Sequence, residues 1–368
     1  MSIEPQAAIF WDRTRRERDQ KCARSRWHSF EAGGRGYSLR RQSPHLALGI
    51  ALHGGIEGIL RGDRGAVQEA LFVYSCYLDS VWADHANKDA IIRERMGLLN
   101  GFLIGFERLV LPNLLLEYEL VLVESSQVLD HNGIRYGFKP DVILRRRADG
   151  TLWYIDWKST AKVDRKWLAS WHKAIQLHLA AYAYEQVLGE RIEGVIVQGF
   201  LKGRLDDDQL SSPLLNGWHK PADPPLLPAL YAATRPKEWK GWKAINCWDM
   251  GGQEAWFDLL GDQLLSQFPR TEPIFLEREI VESTLRQAAW REKEIAAAKS
   301  VLLGDSSEEV KQSLLERVFP QNFGQCEPAW GEPCDYCHLC WSPEIAEDPE
   351  GSGLFVPREP HHSTEYVE

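Results

Sequence analysis

No run of 18 or more apolar residues occurs in this 368-residue sequence, so no segment is expected to span a membrane. The opening stretch, MSIEPQAAIFWDRTRRERDQ, lacks the apolar h-region of a secretory signal, and the expected location is cytoplasmic. Internal repeats are missing too, which excludes a solenoid or propeller. Positive charge is not in excess: 43 Lys and Arg stand against 53 Asp and Glu, a formal net charge of −10. That total counts against a protein that coats nucleic acid, although the charge is uneven. Residues 1–41 hold ten basic side chains against five acidic, and residues 135–166 hold nine against four. These two stretches are expected to meet phosphates, and solvated surface charge is the plainer alternative. The segment after Cys340 is acidic and reads as a flexible tail. An even set of cysteines is also lacking. There are seven, four of them within 326–340, which suits a metal site better than a disulfide framework.

What is present is a helical and strand pattern of ordinary globular composition. Residues 44–110 carry apolar side chains at three-to-four spacing, as in SPHLALGIALHGGIEGIL, and read as helices. LLEYELVLVES (115–125) alternates like a strand, and KPDVILRR and TLWYIDWKS follow as two more around an Asp-Gly turn. Residues 163–188 read as one helix, 194–202 as a strand, and 279–303 and 306–318 as helices. Residues 211–250, rich in Pro and Trp, read as an inserted loop. The order implies an α/β core with a mixed central sheet flanked by helices. The expected division is a basic arm (1–45), a core (46–205), a helical and loop region (206–320), a Cys cluster (321–341) and a flexible acidic tail (342–368).

The strands of GFKPDVILRRRADGTLWYIDWK (137–158) raise a chemical question, because carboxylates on half-buried strands need a partner or a metal. With Asp149-Gly150 as a two-residue turn, Asp141 pairs opposite Lys158. Asp141, Asp156 and Lys158 then share one face, and Ile155 and Trp157 take the other. A four-residue loop, 148–151, keeps that parity. Two acids and an ammonium on one face suit Mg²⁺ or Mn²⁺ with substrate phosphate oxygens. A surface Asp–Lys pair is the plainer alternative.

These residues resemble a known signature. Pro140-Asp141, a gap, then Asp156-Trp157-Lys158 is similar to the motif of the PD-(D/E)XK nucleases, and YGFKPDVILRRRADGTLWYIDWKST looks most like their RecB-like exonuclease branch. Gly49 and His53 in LGIALHGG match that branch's upstream histidine motif. The resemblance implies a restriction-endonuclease-like fold and a metal-dependent DNA nuclease, with exonuclease action in recombination, repair or phage DNA processing. It implies His53, Asp141, Asp156 and the Trp157 carbonyl as metal ligands, and Lys158 as catalytic. In the branch, a Gln and a Tyr on the helix after the lysine strand lie near DNA. Here Gln176 and Tyr182 are the counterparts, six positions apart instead of four. A helicase or recombinase partner is a further implication. The rival reading is a nuclease-fold module that binds DNA or protein without catalysis.

CEPAWGEPCDYCHLC contains Cys326, Cys334, Cys337 and Cys340. On spacing, a structural zinc site and a ferredoxin-like run both remain open. Iron–sulfur members of the RecB-like branch take one cysteine before the core and three after it. Cys22, in QKCARSRW, resembles the first of these, which implies a 4Fe–4S cluster on Cys22, Cys326, Cys334 and Cys340. In that arrangement Cys337 is spare, and the N- and C-terminal segments are joined at the cluster. Cys76 and Cys247 are expected to be ordinary buried residues.

Overall fold

The structure is a computed structural model and describes residues 9–40, 44–81, 88–160, 163–202, 218–219, 245–246, 265, 267–327 and 333–360. In chain order, its first elements are β1 (Ile9–Trp11), α1 (Arg13–Lys21), α2 (Ala23–Phe30), β2 (Tyr37–Leu39), α3 (Pro44–Leu60), α4 (Ala66–Val81) and α5 (Lys88–Gly105). A π-helical turn, Phe106–Val110, leads into α6 (Leu111–Glu117). There follow β3 (Tyr118–Val123), β4 (Gln127–His131), β5 (Ile134–Phe138), β6 (Val142–Arg146), β7 (Leu152–Thr160), α7 (Arg165–Trp171), α8 (Ile175–Leu188) and β8 (Ile192–Leu201). The remainder includes β9 (Trp218–His219), β10 (Ile245–Asn246), β11 (Ile274–Phe275), α9 (Arg278–Leu302), α10 (Glu308–Val318) and β12 (Phe355–Pro357), with a 3-10 turn and two short α-helices between the last two. The chain forms two compact units, one of residues 1–42, 126–139 and 277–368, the other of residues 43–125 and 140–276.

The second unit is built on a five-stranded mixed sheet of order β11-β8-β7-β6-β3. β3, β6 and β7 are antiparallel neighbours, and β7 pairs parallel with β8 after the crossover through α7 and α8. Alternation along the strands divides the two faces. Val142, Leu144, Trp153, Ile155, Trp157, Ile196 and Phe200 pack into one core with Leu52 and Ile56 of α3, Tyr74 of α4 and Phe102 of α5. Phe106 meets Trp157 edge-on at 5.4 Å, and Phe102 meets Phe200 at 5.5 Å. The segment Arg95–Glu117 is long and apolar enough to cross a membrane, the one such helix among the described residues. Its Leu99, Phe102, Leu103 and Phe106 are fully buried in this core, which accounts for its composition.

The first unit holds a three-stranded sheet of order β1-β5-β4 and the antiparallel pair β2–β12. The β4–β5 hairpin turns at Asn132-Gly133, with φ of 52° and 79°, the backbone that an Asn-Gly turn favours. Sequence analysis reads only three strands in 115–159 and passes over this hairpin, which belongs to the other sheet. Arg26 of α2 is buried between Glu31 (3.0 Å) and Glu292 of α9 (2.9 Å), and Lys299 reaches Glu31 at 2.8 Å.

Several expectations are corrected. The single helix expected over 163–188 breaks between α7 and α8. Cys76 is exposed on α4, while Cys247 lies outside the described residues, as does most of 211–250. Many arginines of the two basic stretches also have partners within the protein. Arg13 pairs with Glu17, Arg15 with Asp12, Arg18 with Asp335 and Arg26 with two glutamates, while Arg24 donates to the Phe319 carbonyl. Arg145 pairs with Glu190, Arg146 with Asp149 and Arg147 with Glu119. Asp335 and Glu292, and Glu190 and Glu119, come from outside the two stretches and reduce each local balance from +5 to +3.

Candidate metal centre and active site

The β6–β7 hairpin pairs Val142 with Ile155 and Arg145 with Leu152, so partners sum to 297. Arg146 N–H donates to Thr151 O at 2.8 Å, closing a four-residue loop, 147–150, in which Gly150 takes a φ of 74°. Sequence analysis puts the register two residues away, with Asp141 opposite Lys158. The observed register puts Asp141 opposite Asp156. A shift of two preserves the face, and the division of side chains stands: Tyr154, Asp156 and Lys158 lie on one side, Trp153, Ile155 and Trp157 on the other.

The third strand adds an acid that the sequence reading missed. β3 pairs Leu120 with Leu144 but Leu122 with Ile143, a bulge that advances the register by one. Beyond it, Glu124 N–H donates to Asp141 O at 3.0 Å, so Glu124 lies beside Asp141. Glu124, Asp141 and Asp156 thus form a row across β3, β6 and β7. Glu124 also takes a φ of 33°, a left-handed conformation uncommon for a residue with a side chain. Arg61 reaches over from the end of α3 to the Val123 carbonyl at 3.2 Å and steadies this strained corner. Such strain concentrates where a side chain must be aimed.

His53 of α3 completes the group. Its Nδ1 lies 3.0 Å from Asp141 Oδ1 and 4.0 Å from Glu124 Oε1. Donor atoms of these three residues all fall within 4.8 Å of one another, the one such triad among the described residues. An octahedral Mg²⁺ with ligands at 2.0–2.1 Å sets donors about 3 Å apart in cis and about 4.2 Å apart in trans. The observed spacings fit that frame, and the set of two carboxylates and an imidazole suits Mg²⁺ or Mn²⁺.

The electrostatics are those of a site prepared for positive charge. Burial alone would push the Asp141 carboxyl up. Hydrogen-bonded His53, the Lys158 charge and the Trp157 N–H outweigh it and hold Asp141 below its ordinary value. The Trp157 N–H donates to Asp141 Oδ2 at 2.6 Å. Burial would lower His53, and Asp141 instead raises it. Asp156 Oδ1 accepts from the Tyr154 hydroxyl at 2.7 Å. Asp156 Oδ2 is buried and forms an ion pair with the Lys158 ammonium. Lys158 also donates to the Trp157 carbonyl at 3.3 Å, the oxygen that the resemblance assigns to the metal.

His53, Asp141, Asp156, Trp157 and Lys158 are therefore brought together, with Glu124 added. Gln176 and Tyr182 lie on α8, both half-buried, about 120° apart around the helix. His178 of that helix is buried, with Nε2 at 3.1 Å from His172 O.

The strain at Glu124 makes a testable split. Glu124→Ala and Glu124→Gly both remove the carboxylate, but only glycine relieves the backbone. The glycine variant is expected to be the more stable by about 1 kcal/mol in chemical denaturation, with metal affinity lost in both. Equal stability of the two would remove strain from the description.

The remaining cysteines gather in the first unit. Cys22 is buried at the α1–α2 junction and accepts the Asn322 N–H at 3.4 Å. Cys334 N–H donates to Cys326 O at 2.9 Å, and Cys337 N–H to Cys334 O at 3.1 Å. Burial, ahead of the charges of Cys22 and Cys334, pushes the Cys340 thiol up to about 11. Among the described residues no three sulfurs lie within 4.8 Å of one another. One zinc at about 2.3 Å from each sulfur requires separations of about 3.8 Å, so the sulfurs as placed do not form a zinc tetrahedron.

The fold is a mixed, restriction-endonuclease-like α/β sheet, and its His53, Glu124 and Asp141 form a group that could hold a divalent metal. A profile of the PD-(D/E)XK nuclease superfamily matches residues 14–341, and the chain belongs to that superfamily, whose members are metal-dependent nucleases. Comparison with curated proteins gives no match.

Proposed function

We propose that this protein is a metal-dependent DNA exonuclease of the RecB-like kind, with a 4Fe–4S cluster in its first unit. The observation that carries the nuclease reading is the convergence of Glu124, Asp141 and Asp156, one acid from each of three adjacent strands, with His53 and Lys158. His53, Glu124 and Asp141 would hold the cation, with Asp156 and the Trp157 carbonyl as further oxygen donors. When bound, Mg²⁺ or Mn²⁺ supplies Lewis acidity to a phosphate oxygen and lowers the pKa of water. Lys158 Nζ can donate to a phosphate oxygen as negative charge grows there. Asp156 holds that ammonium in place, and Tyr154 fixes the Asp156 carboxylate. On α8, Gln176 and Tyr182 are the side chains expected near DNA. The host process is the end-processing of DNA in recombination, repair or phage replication, in the cytoplasm and with a helicase or recombinase as partner.

The test uses linear DNA labelled at the 5′ or 3′ end and closed circular DNA, each with Mg²⁺, Mn²⁺ or EDTA. Metal-dependent loss of linear DNA, with the circle intact, is the expected result. Cutting of the circle would make the enzyme an endonuclease, and binding without cleavage in any metal would make it a binding module.

For the cluster, Cys22, Cys326, Cys334 and Cys340 are the proposed ligands. Protein purified without oxygen should be brown and hold about four irons per chain. Cys22→Ala should lose both colour and stability, and Cys337→Ala should keep them. Colourless protein with one zinc would overturn this part and leave the nuclease site untouched.

A further inference from the structure

Of the three residues in the candidate metal triad, Glu124 alone takes a positive φ, 33°. A side chain is kept in that conformation only where its surroundings over-determine it. Two donors do so here, one on either side of Glu124. Before it, Arg61 donates to the Val123 carbonyl at 3.2 Å, and Arg61 is itself paired with Glu57, one turn back, at 2.6 Å. After it, the Tyr184 hydroxyl of α8 donates to the Ser125 carbonyl. The carbonyls that flank the strained residue are thus tied to side chains from two separate elements, the end of α3 and the middle of α8.

Tyr184 has the properties of an anchor. It is fully buried, and burial pushes its hydroxyl above the ordinary value, so it remains a donor throughout the neutral range. Its neighbour Glu185 accepts the Ile192 N–H at 3.0 Å, which fastens this part of α8 to the start of β8 in the central sheet. The hydroxyl is therefore carried by a rigid element. Ser125 is a place where an anchor matters. Residues 126–139 belong to the first unit, so the chain leaves the second unit directly after Ser125. A displacement of that excursion would otherwise reach Glu124 through a single residue. We propose that Tyr184 is a positioning residue of the metal centre: by holding the Ser125 carbonyl it aims the Glu124 carboxylate at the cation shared with His53 and Asp141. This role rests on the reading of Glu124 as a metal ligand, and it extends the site to a residue outside the signature motif.

Tyr184→Phe removes the hydroxyl alone. Mn²⁺ affinity is measured by calorimetry without DNA, beside the melting temperature, KM for linear DNA and the Mg²⁺ concentration that gives half the maximal rate. Groups that orient a ligand without touching the metal carry about 10–100-fold in metal affinity. Tyr184→Phe is expected to bind Mn²⁺ about tenfold more weakly and to need about tenfold more Mg²⁺. KM for DNA should be unchanged, and kcat should recover at saturating Mg²⁺. A lower melting temperature with Mn²⁺ affinity equal to wild type would make Tyr184 a packing residue and overturn the proposal. If Tyr184→Phe does not fold, Arg61→Met decides, because the Arg61 side chain is about half exposed and reaches the same corner. Weaker Mn²⁺ binding in Arg61→Met would support the anchored corner, and unchanged binding would overturn it. Wild-type protein that binds Mn²⁺ and cleaves no DNA would remove the nuclease reading and leave this role standing. Wild-type protein that binds no Mn²⁺ would remove both.

Discussion

Asp141→Asn is expected to lower DNA cleavage by roughly three orders of magnitude while the fold survives. Asp141 is held from two sides within the site. One oxygen faces His53 at 3.0 Å, the other accepts the Trp157 N–H at 2.6 Å, and its strand neighbours carry Glu124 and Asp156. Asparagine retains an oxygen for the Trp157 N–H, so the hairpin stays closed, but it removes the charge that a hard cation requires. Metal affinity, followed by calorimetric titration of Mn²⁺, should fall together with the rate. Circular dichroism should match the wild type. Cleavage within tenfold of wild type would mean that the charge of Asp141 is not needed.

The second large effect lies in the other unit. Arg26→Met should destabilise it by about 3–5 kcal/mol, because it leaves two buried glutamates without their shared cation. Arg26 is about 1% exposed and bridges Glu31 and Glu292, both buried. Burial pushes both glutamates up. The Arg26 and Lys299 charges overcome that for Glu31 and hold it at about 2, whereas Glu292 remains raised even with Arg26 present. The stability that Glu31 contributes is therefore present above the ordinary carboxylate range and lost as pH falls toward 2. Glu292 works in the opposite sense, gaining a proton more readily folded than unfolded. Urea denaturation should show Arg26→Met, Glu292→Leu as less destabilised than Arg26→Met alone, since the second change removes an unpaired charge. If the double variant is the weaker, the buried ions are not coupled as described.

Sequence reasoning reaches the site through parity and stops where parity breaks. The face shared by Asp141, Asp156 and Lys158 survives a register error of two, because alternation has a period of two. Glu124 was out of reach for the same reason. Unbroken pairing along β3 would set Val123 opposite Asp141, and only the bulge near Leu120 brings Glu124 there. The row of acids at 117, 119 and 124 gives no sign of which one turns toward the histidine. Asn132-Gly133, flanked by VLDH and IRYGF, is a legible hairpin signal in the sequence. The basic arm illustrates a different limit. Its charge count is correct, but the partners Asp335, Glu292 and the Phe319 carbonyl lie some 300 positions away in sequence, beyond any local reading. Likewise the separations of the sulfurs in space are something that spacing along the chain cannot report.

The most direct measurement separates holding the metal from using it. Mn²⁺ affinity and the rate of linear DNA cleavage are determined side by side for wild type and Lys158→Ala. Lys158 contributes no ligand in this account, so the variant should bind Mn²⁺ with affinity close to wild type and should fail to cleave. Cleavage by Lys158→Ala at the wild-type rate would contradict the assignment of this hairpin as the nuclease active site.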